Sequence, residues 1–300
     1  MQDAWAKLRK GERGQPTHWR SLGDHSLDVA LTLRRLLDVR TIRNRLARLG
    51  GLEHLAPSQR DKLAVLAGFH DLGKANRGFQ NKGLDRQPQA GHLGEILGLV
   101  SDPHNEVAQA LLQALNLEAM LHWFEGDGET AWCEALHALY SHHGRPIAPP
   151  DDFRASLWRG QDQYQPISVV RAVVSRILTF FPDAHQAAPL PANPPFLNGL
   201  LGLLTLADWI GSDERFFPLY DVDAPSSSWS ELERDRAVRT ALDRIGLSPQ
   251  TSPRASGPLN AQDFSGIFGF PPNIAQQRFL DLDLPAPDGS VTVMEAQTGS

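Results

Sequence analysis

His70 and Asp71 stand side by side in FHDLGK (69–74), and His142 and His143 stand side by side in SHHG (141–144). Imidazole nitrogens and carboxylate oxygens are metal ligands. Two adjacent ligands can chelate one cation, or bridge two, if the backbone turns beside them. Glycine follows each pair, Gly73 and Gly144, and permits such a turn. Lys74 lies four residues after His70 and projects to a similar side if the helix continues. A His-Asp dipeptide alone says little, because most such pairs are surface residues or helix caps. Asp208 says more. It sits in FLNGLLGLLTLADWI, where nearly every neighbour is apolar. An ionised carboxylate there costs several kcal/mol unless it is paired or holds a metal. His25, in GDHSLDVA, opens an apolar helix, with Asp24 beside it as a candidate N-cap.

The elements that must position these groups read as helices. Residues 27–39 carry apolar side chains at helical spacing, and Ser58 is a candidate cap for a helix running through Phe69. Further helical stretches fit 92–100, 105–116, 130–142, 167–181, 196–211 and 229–245, with no convincing strand among them. The expected fold is therefore all-α over residues 1–246. Residues 247–262, rich in Ser, Pro and Gly, read as a linker. Residues 263–300 differ again: FSGIFGFPPNIAQQRF is aromatic and Pro-rich, and VTVMEA is a buried-strand candidate followed by QTGS. A strand followed by T-G-S is how a phosphate-binding loop begins. The sequence stops before any G-K-[ST] and reads as cut inside a second domain.

Composition narrows the class. Hydrophobic residues make up 41% and charged residues 21%, an ordinary globular balance. The absence of a long apolar run argues against a membrane span, and the N-terminus lacks the apolar stretch of a signal peptide, so a cytoplasmic protein is expected. Cys133 is the only cysteine, which excludes an intrachain disulfide and a cysteine-based zinc site; its helical context suggests a packed core thiol. Net charge is −6, against wholesale coating of nucleic acid, but residues 1–50 carry a local +6. That excess fits either a basic face for phosphate or a partner, or an ordinary solvated helix surface.

The order His25, His70-Asp71, His92, His142-His143, Asp208 resembles the signature of the HD phosphohydrolase superfamily. More closely, HDLGK, SHHG and ADWIGSDERFFP resemble the nuclease domain of the CRISPR-associated type I helicase–nuclease. PPNIAQQ and VTVMEAQTGS resemble that family's helicase Q-motif and the start of its Walker A loop. The resemblance implies an HD-domain helical bundle, then a short linker and the first strand of a truncated RecA-like superfamily 2 helicase domain. It implies that His25, His70, Asp71 and Asp208 hold one metal, and that Asp71, His92, His142 and His143 hold a second, with Asp71 bridging. His104 competes with His92 for its place. Asp71 and Lys74 are the implied catalytic residues, Lys74 lying near the scissile phosphate. Ser212 is implied to contact the metal site or substrate, or else to cap its helix. Gln276, of the Q-motif, would bind ATP only in a full-length protein.

Five histidines and two aspartates suit Mn, Fe, Co, Ni or Zn better than Mg. Two such cations would supply hydroxide near neutral pH and clamp a phosphodiester. The family resemblance implies single-stranded DNA as substrate, recruitment by the Cascade surveillance complex with its crRNA, and a monomer. ATP and Mg belong to the full-length helicase only, so this chain is expected not to hydrolyse ATP. Two other readings stay open: an HD enzyme acting on nucleotides or cyclic nucleotides, and a catalytically silent docking module. His18, His54, His104, His122, His137 and His185 match no ligand position. Trp209, Phe216 and Phe217 fit base stacking or, more readily, core packing.

Overall fold

A computed structural model describes residues 4–144, 147–223, 229–248, 264–266 and 269–281. The expected linker falls largely outside the described residues, as do VTVMEA and QTGS, so the RecA-like strand and the start of the Walker loop lie outside them too.

Helix α1 (Leu22–Leu36) is the axis of the fold. Its buried residues run from Leu22 to Leu36 on almost every face, the mark of a helix surrounded by others. Helices α3 (Pro57–Gly68), α8 (Pro166–Phe180), α9 (Pro194–Gly211) and α10 (Glu231–Arg244) pack around it. Helix α2 (Arg40–Leu49) packs on α9, and α7 (Gly128–Tyr140) also meets α9. The shorter α4 (Arg77–Gly83), α5 (Leu93–Leu97) and α6 (Glu106–Ala114) complete the bundle, and α11 (Ile274–Leu280) follows it in the chain. Buried Leu27, Val29, Leu33, Leu63, Leu66, Phe69, Ile177, Leu200 and Leu204 belong to one contiguous core. Each such side chain stabilises by roughly 1.5–3 kcal/mol relative to exposure.

Three findings correct the sequence-based expectation. A small antiparallel sheet is present, β1 (Trp5–Lys10), β2 (Pro16–Ser21) and β3 (Tyr220–Asp221), in the order β1-β2-β3. Its alternation is hidden by register shifts between Trp5 and Lys7 and between Arg9 and Lys10. The caps also differ. Ser21, not Asp24, caps α1, its hydroxyl accepting from the Asp24 backbone N–H. Helix α3 starts one residue before Ser58, with Ala56 at the cap and Gln59 Oε1 accepting from the Ala56 N–H. Cys133 is exposed rather than a core thiol, because it lies outside the α7 face formed by Trp132, Leu136, Leu139 and Tyr140.

Below the centre of the bundle lies a buried ionic cluster. Asp28 receives Arg20 and Arg234, and Asp24 receives Arg234 and Arg176. These contacts tie β2, α8 and α10 to the first turns of α1. Arg34 and Arg35 are likewise paired, with Asp38, Asp61 and Asp235. Part of the basic excess in residues 1–50 is thus offset by Asp61 and Asp235 from outside that stretch, while Arg45 and Arg48 on α2 are exposed. No helix among the described residues is long and apolar enough to cross a membrane.

Candidate metal centre

Five separate segments of the bundle converge on one point. Helix α3 stops at Gly68, and His70 and Asp71 sit in the turn before the short 3-10 segment Leu72–Ala75. The helix does not continue to Lys74, as its spacing from His70 assumed. Lys74 instead folds back on Asp71, three residues before it, donating to Oδ2. His25 projects from the first turns of α1, and Asp208 from the last turn of α9. His142 and His143 follow α7, where Gly144 has φ +80°, a conformation glycine adopts without cost. His92 occupies the N-cap position of α5.

Asp71 is the hub. Its Oδ2 lies 3.1 Å from His25 Nε2 and 3.3 Å from His70 Nε2. Its Oδ1 lies 3.2 Å from His92 Nε2 and 3.8 Å from His142 Nε2. On the first side Asp208 Oδ1 adds a fourth group, 3.3 Å from His25 Nε2 and 3.6 Å from His70 Nε2. Ser212, at the C-cap of α9, donates its hydroxyl to the same Asp208 oxygen at 2.9 Å. Two potential ligand sets result, His25-His70-Asp71-Asp208 and Asp71-His92-His142-His143, each with ligand atoms within 4.8 Å of one another. They share Asp71.

The ring orientations are set from behind. His70 Nδ1 donates to the Ala67 carbonyl at 2.8 Å and His142 Nδ1 to the Leu139 carbonyl at 2.7 Å. Each bond places a proton on Nδ1 and leaves Nε2 to face the cluster, the arrangement that metal-ligating histidines use. Nε2 of His70, His92 and His142, with Oδ1 of Asp71, are buried without a hydrogen-bond partner among the described residues. Leaving such atoms unsatisfied costs about 1–3 kcal/mol each. Divalent cations would satisfy them, and the donor set of imidazoles plus carboxylates fits transition metals.

The electrostatics fit the same reading. Burial alone would raise Asp71, but Lys74, His70 and His25 outweigh it and hold the carboxyl well below its usual range. Asp208 is likewise lowered, since His25 and His70 outweigh its burial. Burial pushes His142 down to about 3, reinforced by the charge on His70. His92 is lowered by burial, partly offset by Asp71. His70 goes the other way: burial opposes its charge, but Asp71 and Asp208 bring it up to about 9. Two ionised carboxylates therefore face neutral His92 and His142 imidazoles, with a proton retained on His70 when no cation is present.

The remaining candidates lie elsewhere. His104, the rival to His92, is exposed and outside the cluster, as are His54, His122 and His137. His18 and His185 are half-buried and also outside it. Gln276 lies in α11, where its side chain accepts from the Asn273 N–H at 2.9 Å and so helps cap that helix. Phe217 is buried, as core packing requires, but Trp209 is 70% exposed, against the expectation for it. The sequence reading passed over two features: Lys7, whose charge lies in the field of Asp208 and Asp71, and the buried cluster under His25. Neither carries a motif, and only the fold brings them near.

The family profile described as "Cas3, HD domain" matches residues 5–217. The CRISPR-associated endonuclease/helicase Cas3 of Thermus thermophilus is 30% identical over 202 residues, 61% of this chain and 20% of that protein. The chain thus spans about a fifth of the length of that curated relative. The crystal structure of the Thermus thermophilus cas3 HD domain in the presence of Ni2+ superposes with a TM-score of 0.51 at 27% identity, over 80% of this chain and 88% of that one. T. fusca Cas3-ATP gives a TM-score of 0.57 at 20% identity, over 94% of this chain and 30% of that one, a likeness of fold. The described helices therefore form an HD-domain bundle, with the small sheet added to it.

Proposed function

The chain belongs to the Cas3 HD-domain family, and from that premise we propose that it is a divalent-metal-dependent nuclease that hydrolyses phosphodiester bonds of single-stranded DNA. The observation that carries this reading is the division of Asp71, one oxygen facing His25 and His70 and the other facing His92 and His142. A carboxylate so placed suits two cations, held by His25, His70, Asp71 and Asp208 on one side and by Asp71, His92, His142 and His143 on the other. Bound there, divalent cations supply Lewis acidity and make hydroxide available near neutral pH.

The chain's own groups do the rest. His142 keeps its Nε2 lone pair on the cluster because its Nδ1 proton is held by a backbone carbonyl, and His70, held the same way, would offer its own once a cation displaced the second proton. Lys74 fixes Asp71 in its shared orientation and adds positive charge where a phosphate would gain negative charge. Ser212 steadies Asp208. The donor set favours Mn, Fe, Co, Ni or Zn over Mg, and the relative crystallised with Ni2+ supports a metal of that class.

The wider setting is what the family resemblance implies. We place the activity in CRISPR interference, in the cytoplasm, coupled in a longer protein to an ATP-driven helicase with its Mg and to recruitment by a crRNA-bearing Cascade complex. The chain itself acts as a monomer and does not turn over ATP. Residues 1–246 would be the nuclease domain, 247–262 a linker and 263–300 the beginning of the helicase domain, with Gln276 serving ATP only there.

A metal-reconstituted assay tests the central reading. Linear and circular single-stranded DNA are each incubated with the chain, beside free nucleotides and cyclic nucleotides. Cleavage of both DNA forms with Mn2+, Co2+ or Ni2+, abolished by chelator, is the expected result. Hydrolysis confined to the small nucleotides would replace the nuclease with a nucleotide phosphohydrolase.

A further inference from the structure

Strand β1 carries two cations on one face. Trp5 is paired with Ser21 and Lys7 with Arg20, so Ala6 is an extra residue and the alternation shifts there. Trp5 Nε1 and Leu8 Cδ2 therefore turn the same way, each 2.9 Å from where a Cβ on Gly83 would stand. Lys7 and Arg9, two residues apart, share the opposite face. Arg9 forms an ion pair with Glu214, just beyond the end of α9. Lys7 is thus directed at the same end of α9, where Asp208 and Ser212 lie. Its ammonium stands in the field of Asp208, Asp71 and Glu214 and of the Lys74 ammonium.

Lys7 and Lys74 differ in one respect that matters. Lys74 is engaged: its ammonium sits on Asp71 Oδ2 and above the Phe79 ring. Lys7 is partly buried, yet among the described residues no hydrogen bond or ion pair satisfies its ammonium. A half-desolvated cation without a partner is unfavourable until an anion arrives. At the border of a cluster suited to phosphodiester hydrolysis, the anion that fits is a backbone phosphate.

We propose that Lys7 is a substrate-binding residue of this site, its ammonium receiving a phosphate of the bound strand on the Asp208 side while Lys74 stays on Asp71. The inference rests on the nuclease reading, and the test separates the two. Lys7→Gln, Lys7→Met and Lys7→Arg are compared with the unaltered chain and with Arg244→Ala, a surface cation on α10. The probe is a fluorescent oligothymidylate with phosphorothioate linkages, titrated by anisotropy at several salt concentrations. Metal content and melting temperature are measured in parallel, and KM and kcat are determined on the ordinary oligonucleotide.

Lys7→Gln and Lys7→Met are expected to weaken binding about tenfold, the loss of one charge-assisted contact. The slope of log affinity against log salt should fall by about 0.7, one phosphate contact to a single strand. KM should rise more than kcat falls, metal content should hold, and Lys7→Arg should restore most of the affinity. Arg244→Ala should change neither affinity nor slope. Unaltered affinity and slope in both folded Lys7 variants would overturn the inference while leaving the nuclease intact. An unaltered chain that binds DNA and metal but cuts nothing, with Lys7→Gln still weakening that binding, would instead sink the nuclease reading and keep the phosphate contact.

Discussion

The backbone carbonyl oxygen of His92 lies 2.0 Å from the place a Cβ on Gly73 would occupy. The glycine beside the His-Asp pair is needed for this approach, not for a left-handed turn, since its φ is not positive. Asn76 holds the same loop, its buried amide donating to the Gly73 and Gly91 carbonyls at 2.8 Å each. The position of His92 against Asp71 is therefore set by two backbone segments touching where no side chain fits.

Gly73→Ala should push the His92 loop away and leave the α3 turn in place. The expected result is loss of one of two bound divalent cations per chain, with about a 10- to 100-fold fall in DNA cleavage. Isothermal titration with Mn2+ or elemental analysis reads the stoichiometry. Two cations retained by Gly73→Ala would show that His92 is not held this way.

Asp71→Asn removes the group both ligand sets share. Metal content should drop on both sides at once, and cleavage should fall by at least about 100-fold. A substitution at Asp208, which belongs to one set, should leave the His92 side able to bind. The two variants are compared by metal titration, and equal losses from both would argue against a shared Asp71.

Without cations, stability should depend on pH through His70. Its folded value of about 9 stands above its ordinary 6.5, because Asp71 and Asp208 outweigh its burial. The protonated form is favoured by folding, so this contribution is complete below pH 6.5 and is lost as pH rises through 9. His142, lowered to about 3, is neutral in the folded state across that window, and the opposing slope from its protonation in the unfolded chain fades above about pH 7.5. Melting temperature in chelator should therefore fall between about pH 7.5 and 9, and saturating Mn2+ should remove the fall by displacing the proton. A flat profile in chelator would contradict the charge assigned to His70.

Arg234 is fully buried and bridges Asp24 and Asp28 beneath the His25 turn. Arg234→Met would leave those carboxylates under-compensated, and a loss of about 3–5 kcal/mol is expected by urea denaturation. Burial already raises Asp28 against the pull of Arg20 and Arg234. Removing one cation should raise it further. An unchanged unfolding midpoint would mean that the cluster contributes nothing to holding α1.

How much of this was legible in the sequence depended on range. Asp208 stood out because its helix is otherwise apolar, and the paired ligands stood out by adjacency. Helices α6 to α10 were visible as periodic runs bounded by Pro, Gly and caps. The β1-β2 hairpin was not, since the bulge at Ala6 breaks the period that identifies a strand. Arg-rich α2 has too few apolar positions to announce a helix, and only Leu46 and Ala47 in it are buried. Lys7 was invisible for a related reason: its neighbours in space, Asp208 and Asp71, are supplied by distant segments. Trp209 was misjudged because an apolar stretch says nothing about which helical face meets solvent; Ala207 and Ile210 turn inward and Trp209 turns out.

The most direct test of the two-cation centre is anomalous diffraction from crystals of the chain loaded with Mn2+. Two anomalous peaks are predicted, one against each oxygen of Asp71, the first ligated by His25, His70 and Asp208 and the second by His92, His142 and His143. A single peak, or peaks remote from Asp71, would contradict the account.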